Sequence, residues 1–281
     1  MTPIIRDFSF AAHARDFDEH IRDSIRGLDH LHADCVDFSR YHVQSGTTVV
    51  DVGCSTGTLL RHTRDANDPS RLFVEYVGID VNPEYDVHWR ELRTDNVRFE
   101  VRDAQSFDFE NASLVYSTFT MQFIPERDRP SLLRRIHDGL VEGGALIIAE
   151  KVLANGAGFH DMLRSVYYGF KRRNLTDKHI LDKEESLRGQ MNLWDEARWE
   201  DALSEAGFES QRFWQNHLFV AWMARKGASR RPAGIVPFRQ RSGLVTNPGT
   251  TTIHPGSEII FIPDPALIPL LAARKHRRRR D

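Results

Sequence analysis

The stretch "VVDVGCSTGTLL", Val49 to Leu60, carries two motifs on the same residues. Gly53, Ser55 and Gly57 spell G-x-S-x-G, the pattern of a hydrolase nucleophile elbow. The same residues make a glycine-rich turn behind a β-branched run, where backbone lies open to a nucleotide-like cofactor. One reading makes Ser55 a nucleophile and the other makes it cofactor floor. An elbow serine needs an oxyanion loop, often of HGGG type, upstream, and no such loop precedes Ser55. The motif also follows the first strand of the pattern, where an elbow normally follows a later one. A downstream histidine carries no weight, because with thirteen in the chain some fall there by chance. The cofactor reading is preferred.

Working outward, strands and helices alternate from Thr47. "TTVVDV" reads as a strand and "GTLLRHTRDA" as a helix; "LFVEYVGID" is a second strand ending in Asp80. Pro83 suits the first turn of a helix through "EYDVHWRELR". "NVRFEV" and "ASLVYSTF" are the third and fourth strands. "PSLLRRIHDGL" has helical spacing with "EGG" as its stop, and "GALIIAEK" is the fifth strand. This alternation predicts an α/β, doubly wound, Rossmann-like sheet with parallel strands and crossover helices. After Lys151 come two helices, "FHDMLRSVYYGFKRRN" and "HILDKEESLRGQM". A third, "DEARWEDALSEAGF", is closed by Gly207. "ESQRFWQ" and "HLFVAWMA" then predict an antiparallel edge hairpin. The expected organisation is an N-terminal helical cap over 1–45, a cofactor-binding domain over 46–226, and an extension over 227–281 without a core of its own.

The strand ends supply an ordered set of cofactor contacts. Asp80 closes the second strand, where a carboxylate accepts hydrogen bonds from two ribose hydroxyls, each worth roughly 1.5–3 kcal/mol. A dinucleotide site asks for G-x-G-x-x-G, and "GCSTG" lacks that spacing. A cofactor without phosphate fits better, with S-adenosylmethionine the leading candidate. Its methionyl end can run over Gly53, Ser55 and Gly57, with Asp51 orienting the ammonium group. Asn82 stands beside Asp80. Asp103 and Ala104 follow the third strand at an adenine edge, and Thr118 follows the fourth near the sulfonium.

Bulk properties narrow the class. The chain has 281 residues, 40% of them hydrophobic, which suits a globular core. No apolar run approaches the roughly 18 residues of a membrane span, and the first twenty residues lack the apolar core of a signal peptide. A cytoplasmic protein is expected. Two cysteines, Cys35 and Cys54, cannot build a disulfide framework or a four-cysteine zinc site. "HLH" at 30–32 is a weak pattern, and no metal site is expected. The formal charge of −2 hides an asymmetry: residues 227–281 hold ten Lys/Arg against three acids. The cluster from Arg274 to Arg280 can meet nucleic acid or an acidic surface.

Residues from about 17 to 225 resemble the carboxy-S-adenosylmethionine synthase family. The resemblance rests on "FDEHI", "DVGCSTG", "ENASLVYSTFTMQF", "LLRRIHDGLVEGGALIIAEK", "FKRRN" and "AGFE". It implies a class I methyltransferase fold, S-adenosylmethionine or its carboxylated form as cofactor, a role in tRNA wobble-uridine modification, and a homo-oligomer. The family's special chemistry needs an arginine that holds the extra carboxylate. The matching segment here is Lys183-Glu184-Glu185-Ser186-Leu187, so an anion replaces the cation, with Lys183 one position away. Thr118 replaces a family asparagine and Leu28 a family tyrosine.

Three functions follow: an S-adenosylmethionine-dependent methyltransferase with a small-molecule or nucleic-acid acceptor, a carboxy-S-adenosylmethionine synthase, or a non-catalytic binding module. Residues available to handle the acceptor are Lys151, Tyr167 and Arg172, with Glu150, His160, Tyr168, Lys171 and Arg173 near them.

Overall fold

The structure, a computed structural model, describes residues 17–67 and 71–227; the extension with its basic cluster lies outside the described residues. Two helices, α1 (Phe17–Ser24) and α2 (Leu28–His42), lead into β1 (Thr48–Val52). The chain continues through α3 (Thr58–Asn67), β2 (Glu75–Asp80), α4 (Asp86–Trp89), β3 (Val97–Val101) and β4 (Ala112–Thr118). Then come α5 (Arg129–Gly139), β5 (Leu140–Lys151), α6 (Ala157–Lys171), α7 (Asp177–Leu187) and α8 (Glu196–Glu205), and the hairpin β6 (Phe208–Asn216) and β7 (Phe219–Lys226) closes the fold. The seven strands run in the order β3-β2-β1-β4-β5-β7-β6, with β7 alone antiparallel to the rest.

Period-2 alternation divides the core into two layers. Val50, Val52, Val77, Val115 and Leu146 face Leu132, Ile136 and Leu203 from α5 and α8. Val49, Tyr76, Leu114, Tyr116 and Ile147 face Leu31, Cys35 and Leu60 from α2 and α3. The helix α2 thus shares the central core.

Two local expectations are corrected. The helix expected over "EYDVHWRELR" is a 3-10 turn, Pro83–Tyr85, and the four-residue α4. The buried Trp89 indole donates to Ser55 O at 2.7 Å, anchoring the chain under the glycine turn instead of letting it run on. "EGG" does not separate α5 from β5. It lies inside β5, where the pairing shifts from Ala112 with Leu140 to Leu114 with Ala145, and Gly143 takes φ +75° in the bulge.

Candidate functional site

The carboxyl ends of β1, β2, β3 and β4 open into a cleft of about 980 Å³. Gly53 leaves β1 with φ +71°, and its N–H and that of Cys54 donate to Ile79 O at 2.8 and 3.0 Å. A Cβ on Gly53 would stand 2.2 Å from Thr120 Oγ1, so only glycine fits without displacement. Gly57, with φ +79° and a ring edge of Phe99 2.7 Å from a notional Cβ, shapes the turn but does not line the cleft. Ser55 lines it. Its N–H donates to Asp80 Oδ2 at 3.1 Å, and no side chain among the described residues hydrogen-bonds its hydroxyl. The general base a nucleophilic serine needs is missing there.

Asp80 also accepts from Asn82 N–H at 2.9 Å, so two backbone donors fix its carboxylate at the mouth of the cleft. Burial raises its pKa while those backbone bonds oppose the rise. Asn82 Oδ1 accepts from Glu84 N–H at 3.1 Å, and its Nδ2 is buried without a partner. Asp51 is buried with Oδ1 unpartnered. Burial, and secondarily the charge of Asp80, push its carboxyl up to about 7. Asp103 accepts from Gln105 N–H at 2.8 Å and presents the buried Ala104 beside it. Thr118 closes the wall at the end of β4.

Lysine residues converge at the other end of the cleft. Lys151, from β5, and Lys171, from α6, lie with Nζ 5.2 and 5.1 Å from the Tyr167 ring centroid. Lys183, from α7, joins them, 2.5 Å from His20 Nε2 and 3.2 Å from Ser24 Oγ. Burial and mutual repulsion depress these lysines, Lys171 to about 8 and Lys183 to about 7, with Lys151 lowered by burial. Glu184 lines the same end and raises Lys151 and Lys171 by its charge. Arg172 does not reach the cleft. It points outward into an ion pair with Asp177 at 2.6 Å. Glu150 is also turned away, accepting from Met121 and Gln122 N–H at 2.9 and 3.0 Å inside the wall, where burial pushes its carboxyl up to about 8. His160 and Tyr168 do not line the cleft.

Sequence reasoning missed Asp18, which accepts from the hydroxyls of Thr56 and Thr58 at 2.7 and 2.9 Å and pins α1 to the glycine turn. It also missed His32, lowered to about 4 by burial in the cleft wall, and Arg164. The readable signal for Asp18 was an acid opening a short helix inside "FDEHI". Nothing local marks the other two. Among the described residues no group of three metal-ligating side chains converges, and no helix is long and apolar enough to cross a membrane.

A family profile described as a methyltransferase domain matches residues 49–144. The carboxy-S-adenosyl-L-methionine synthase of Staphylococcus epidermidis is 32% identical over 209 residues, spanning 72% of this chain and 88% of the relative. That of Methylococcus capsulatus is 32% identical over 231 residues, spanning 78% and 94%. Among solved structures, a chain from the Haloferax volcanii complex of the Trm112 methyltransferase activator with a methyltransferase superposes with TM-score 0.52 at 18% identity, over 78% of this chain and 95% of that one. An O-methyltransferase structure from Nostoc punctiforme gives 0.53 at 16%, over 77% and 60%. Both share the fold.

The site suits the cofactor that this fold implies. An orphaned Asp51 oxygen and an orphaned Asn82 amide are buried in its wall, and the bare backbone at Gly53 leaves a cradle that a Cβ would fill. Acidic groups gather at that end, as a cationic sulfonium compound requires. With these relatives and this sheet order, the chain belongs to the carboxy-S-adenosyl-L-methionine synthase family, within the S-adenosylmethionine-dependent methyltransferase superfamily.

Proposed function

We propose that this protein is an S-adenosylmethionine-dependent methyltransferase that has left the carboxylating chemistry of its family. The observation that carries this reading is Glu184 in the cleft wall, where the resemblance asks for an arginine to hold a second carboxylate. A glutamate there repels that carboxylate. S-adenosylmethionine supplies, when bound, a methyl group on a positively charged sulfur. Asp80, held by the N–H groups of Ser55 and Asn82, is the acceptor for the ribose hydroxyls. Asp51 answers the ammonium group, Gly53 leaves the backbone bare, Asp103 and Ala104 flank the adenine, and Thr118 bounds the reacting end. Most of the rate then comes from alignment and exclusion of water.

A second reading, synthesis of the carboxylated cofactor, is favoured by the names of the relatives and by the lysines beside Glu184. Mass spectrometry of the denatured, freshly purified protein separates the two. Unmodified S-adenosylmethionine supports methyl transfer, and a cofactor heavier by a carboxyl group replaces it with the second reading.

A further inference from the structure

The cleft is divided by charge. Asp18, Asp51, Asp80 and Asp103 line the end at the glycine turn, while Lys151, Lys171, Lys183 and Arg164 line the end formed by α6 and α7, with Glu184 as the carboxylate among them. Lys171 is only 2% exposed, yet its ammonium donates no hydrogen bond to any acceptor among the described residues, and neither does that of Lys151. Each is set against the Tyr167 ring instead. An ammonium largely withdrawn from bulk water with no protein acceptor is under-solvated and favours an anionic partner. The arrangement therefore favours an anion entering the cleft beside the two lysines. Neither lysine occupies the position where the family resemblance places its arginine, which is Glu184. Ile21, Ile25, Leu28, Phe119 and Phe219 give this end an apolar share of wall beside Ser24, Arg188 and Gln190, so it also accommodates an apolar portion of the molecule that carries the anionic group.

We propose that Lys151 and Lys171, both set against the Tyr167 ring, form an oxyanion subsite that holds a carboxylate or phosphate of the methyl acceptor. The proposal rests on the methyltransferase reading for the word acceptor, while the anion site itself stands on the lysine geometry. Lys171, pushed down to about 8 by burial and by Lys151, keeps its charge at neutral pH.

The test is isothermal titration of the full-length protein, saturated with S-adenosylhomocysteine so that no turnover intervenes. The probes are benzoate, inorganic phosphate and neutral benzamide, and the variants are Lys171→Met, Lys151→Met and Lys171→Arg. Lys178→Met, which removes an exposed lysine paired with Asp182, is the charge control. Wild type should bind benzoate or phosphate and prefer benzoate to benzamide. Each methionine variant should lose about ten- to a hundred-fold for the anion, while Lys171→Arg and Lys178→Met stay close to wild type. A benzoate response argues for a carboxylate acceptor, and a response to phosphate alone for a phosphorylated one. Equal binding of benzoate and benzamide, no saturable binding of either anion, or an equal loss in Lys178→Met overturns the subsite. S-adenosylmethionine binding is measured on the same proteins. If anions bind and S-adenosylmethionine does not, the functional reading fails and the subsite stands. If S-adenosylmethionine binds and anions do not, the subsite alone fails. If the methionine variants lose S-adenosylmethionine in step with the anion, the lysines serve the cofactor and the acceptor assignment is overturned. Thermal melts check folding, and Lys171→Arg keeps the question open to refutation should a methionine variant fail to fold.

Discussion

Raising the pH from 5 to 7 should tighten S-adenosylmethionine binding to the wild-type protein and leave the Asp51→Asn variant nearly unchanged. Burial and the neighbouring charge of Asp80 lift the Asp51 carboxyl from its ordinary 3.8 to about 7. In the free protein the group is therefore neutral at pH 5, and ionising it costs roughly 4 kcal/mol relative to water, at 1.36 kcal/mol per unit. A ligand cation beside it favours the ionised form, so binding expels a proton. The sign follows from linkage: affinity rises with pH while the free carboxyl is still protonated and levels off above about 7. If the bound carboxyl returns to its ordinary value, the gain between pH 5 and 7 is up to roughly 50-fold. Titration calorimetry at several pH values, in buffers of differing ionisation enthalpy, reads both the slope and the released proton. A wild-type affinity flat over this range, or an Asp51→Asn slope parallel to wild type, refutes the assignment of Asp51 to the cation.

Asp80→Ala should weaken S-adenosylmethionine binding by about a hundred-fold or more, since two charge-assisted hydrogen bonds are lost, and an unchanged dissociation constant would remove Asp80 from the ribose site. Gly53→Ala places a Cβ 2.2 Å from Thr120 Oγ1 at φ +71°, so chemical denaturation should show a loss of about 1–3 kcal/mol. Arg129 is fully buried, donates to the carbonyls of Ile124 and Asn192 at 2.9 and 2.6 Å, and lies against the Trp194 ring. Arg129→Met should cost about 3 kcal/mol or more by stranding those carbonyls, read as a lower denaturation midpoint. Benzoate affinity should fall about tenfold per pH unit above 8 as Lys171 loses its proton among Lys151, Lys183 and Glu184. Lys171→Arg, whose guanidinium stays charged there, should hold its affinity.

Much of the fold could be read from period and punctuation. β1 to β5 alternate across two faces, so Val49 and Val50 announce their opposite layers in the letters themselves. Asp51 and Asp80 follow from strand ends. What sequence could not read is set by tertiary contacts. Only one of the three consecutive cations 171–173 faces the cleft, and one helical position rotates a side chain by about 100°. The local pattern does not say which of the three faces inward. The short α4 depends on where the Trp89 indole finds Ser55 O. Asp18 reaches Thr56 and Thr58 from far up the chain, a distance that no window along the sequence spans.

Strand β5 ends with two adjacent ionisable side chains that point to opposite sides: Glu150 into the wall, onto the Met121 and Gln122 amides, and Lys151 into the cleft. Their pairing with Val220 and Phe219 of β7 fixes which is which. A slip of one residue would bring an ammonium against two N–H donors and leave a carboxylate facing the cleft. The misaligned sheet would therefore strand an ammonium and two N–H donors at once. The terminal dipeptide thus makes the native register the one in which the carboxylate and both amides are met, where apolar side chains alone would tolerate a shift.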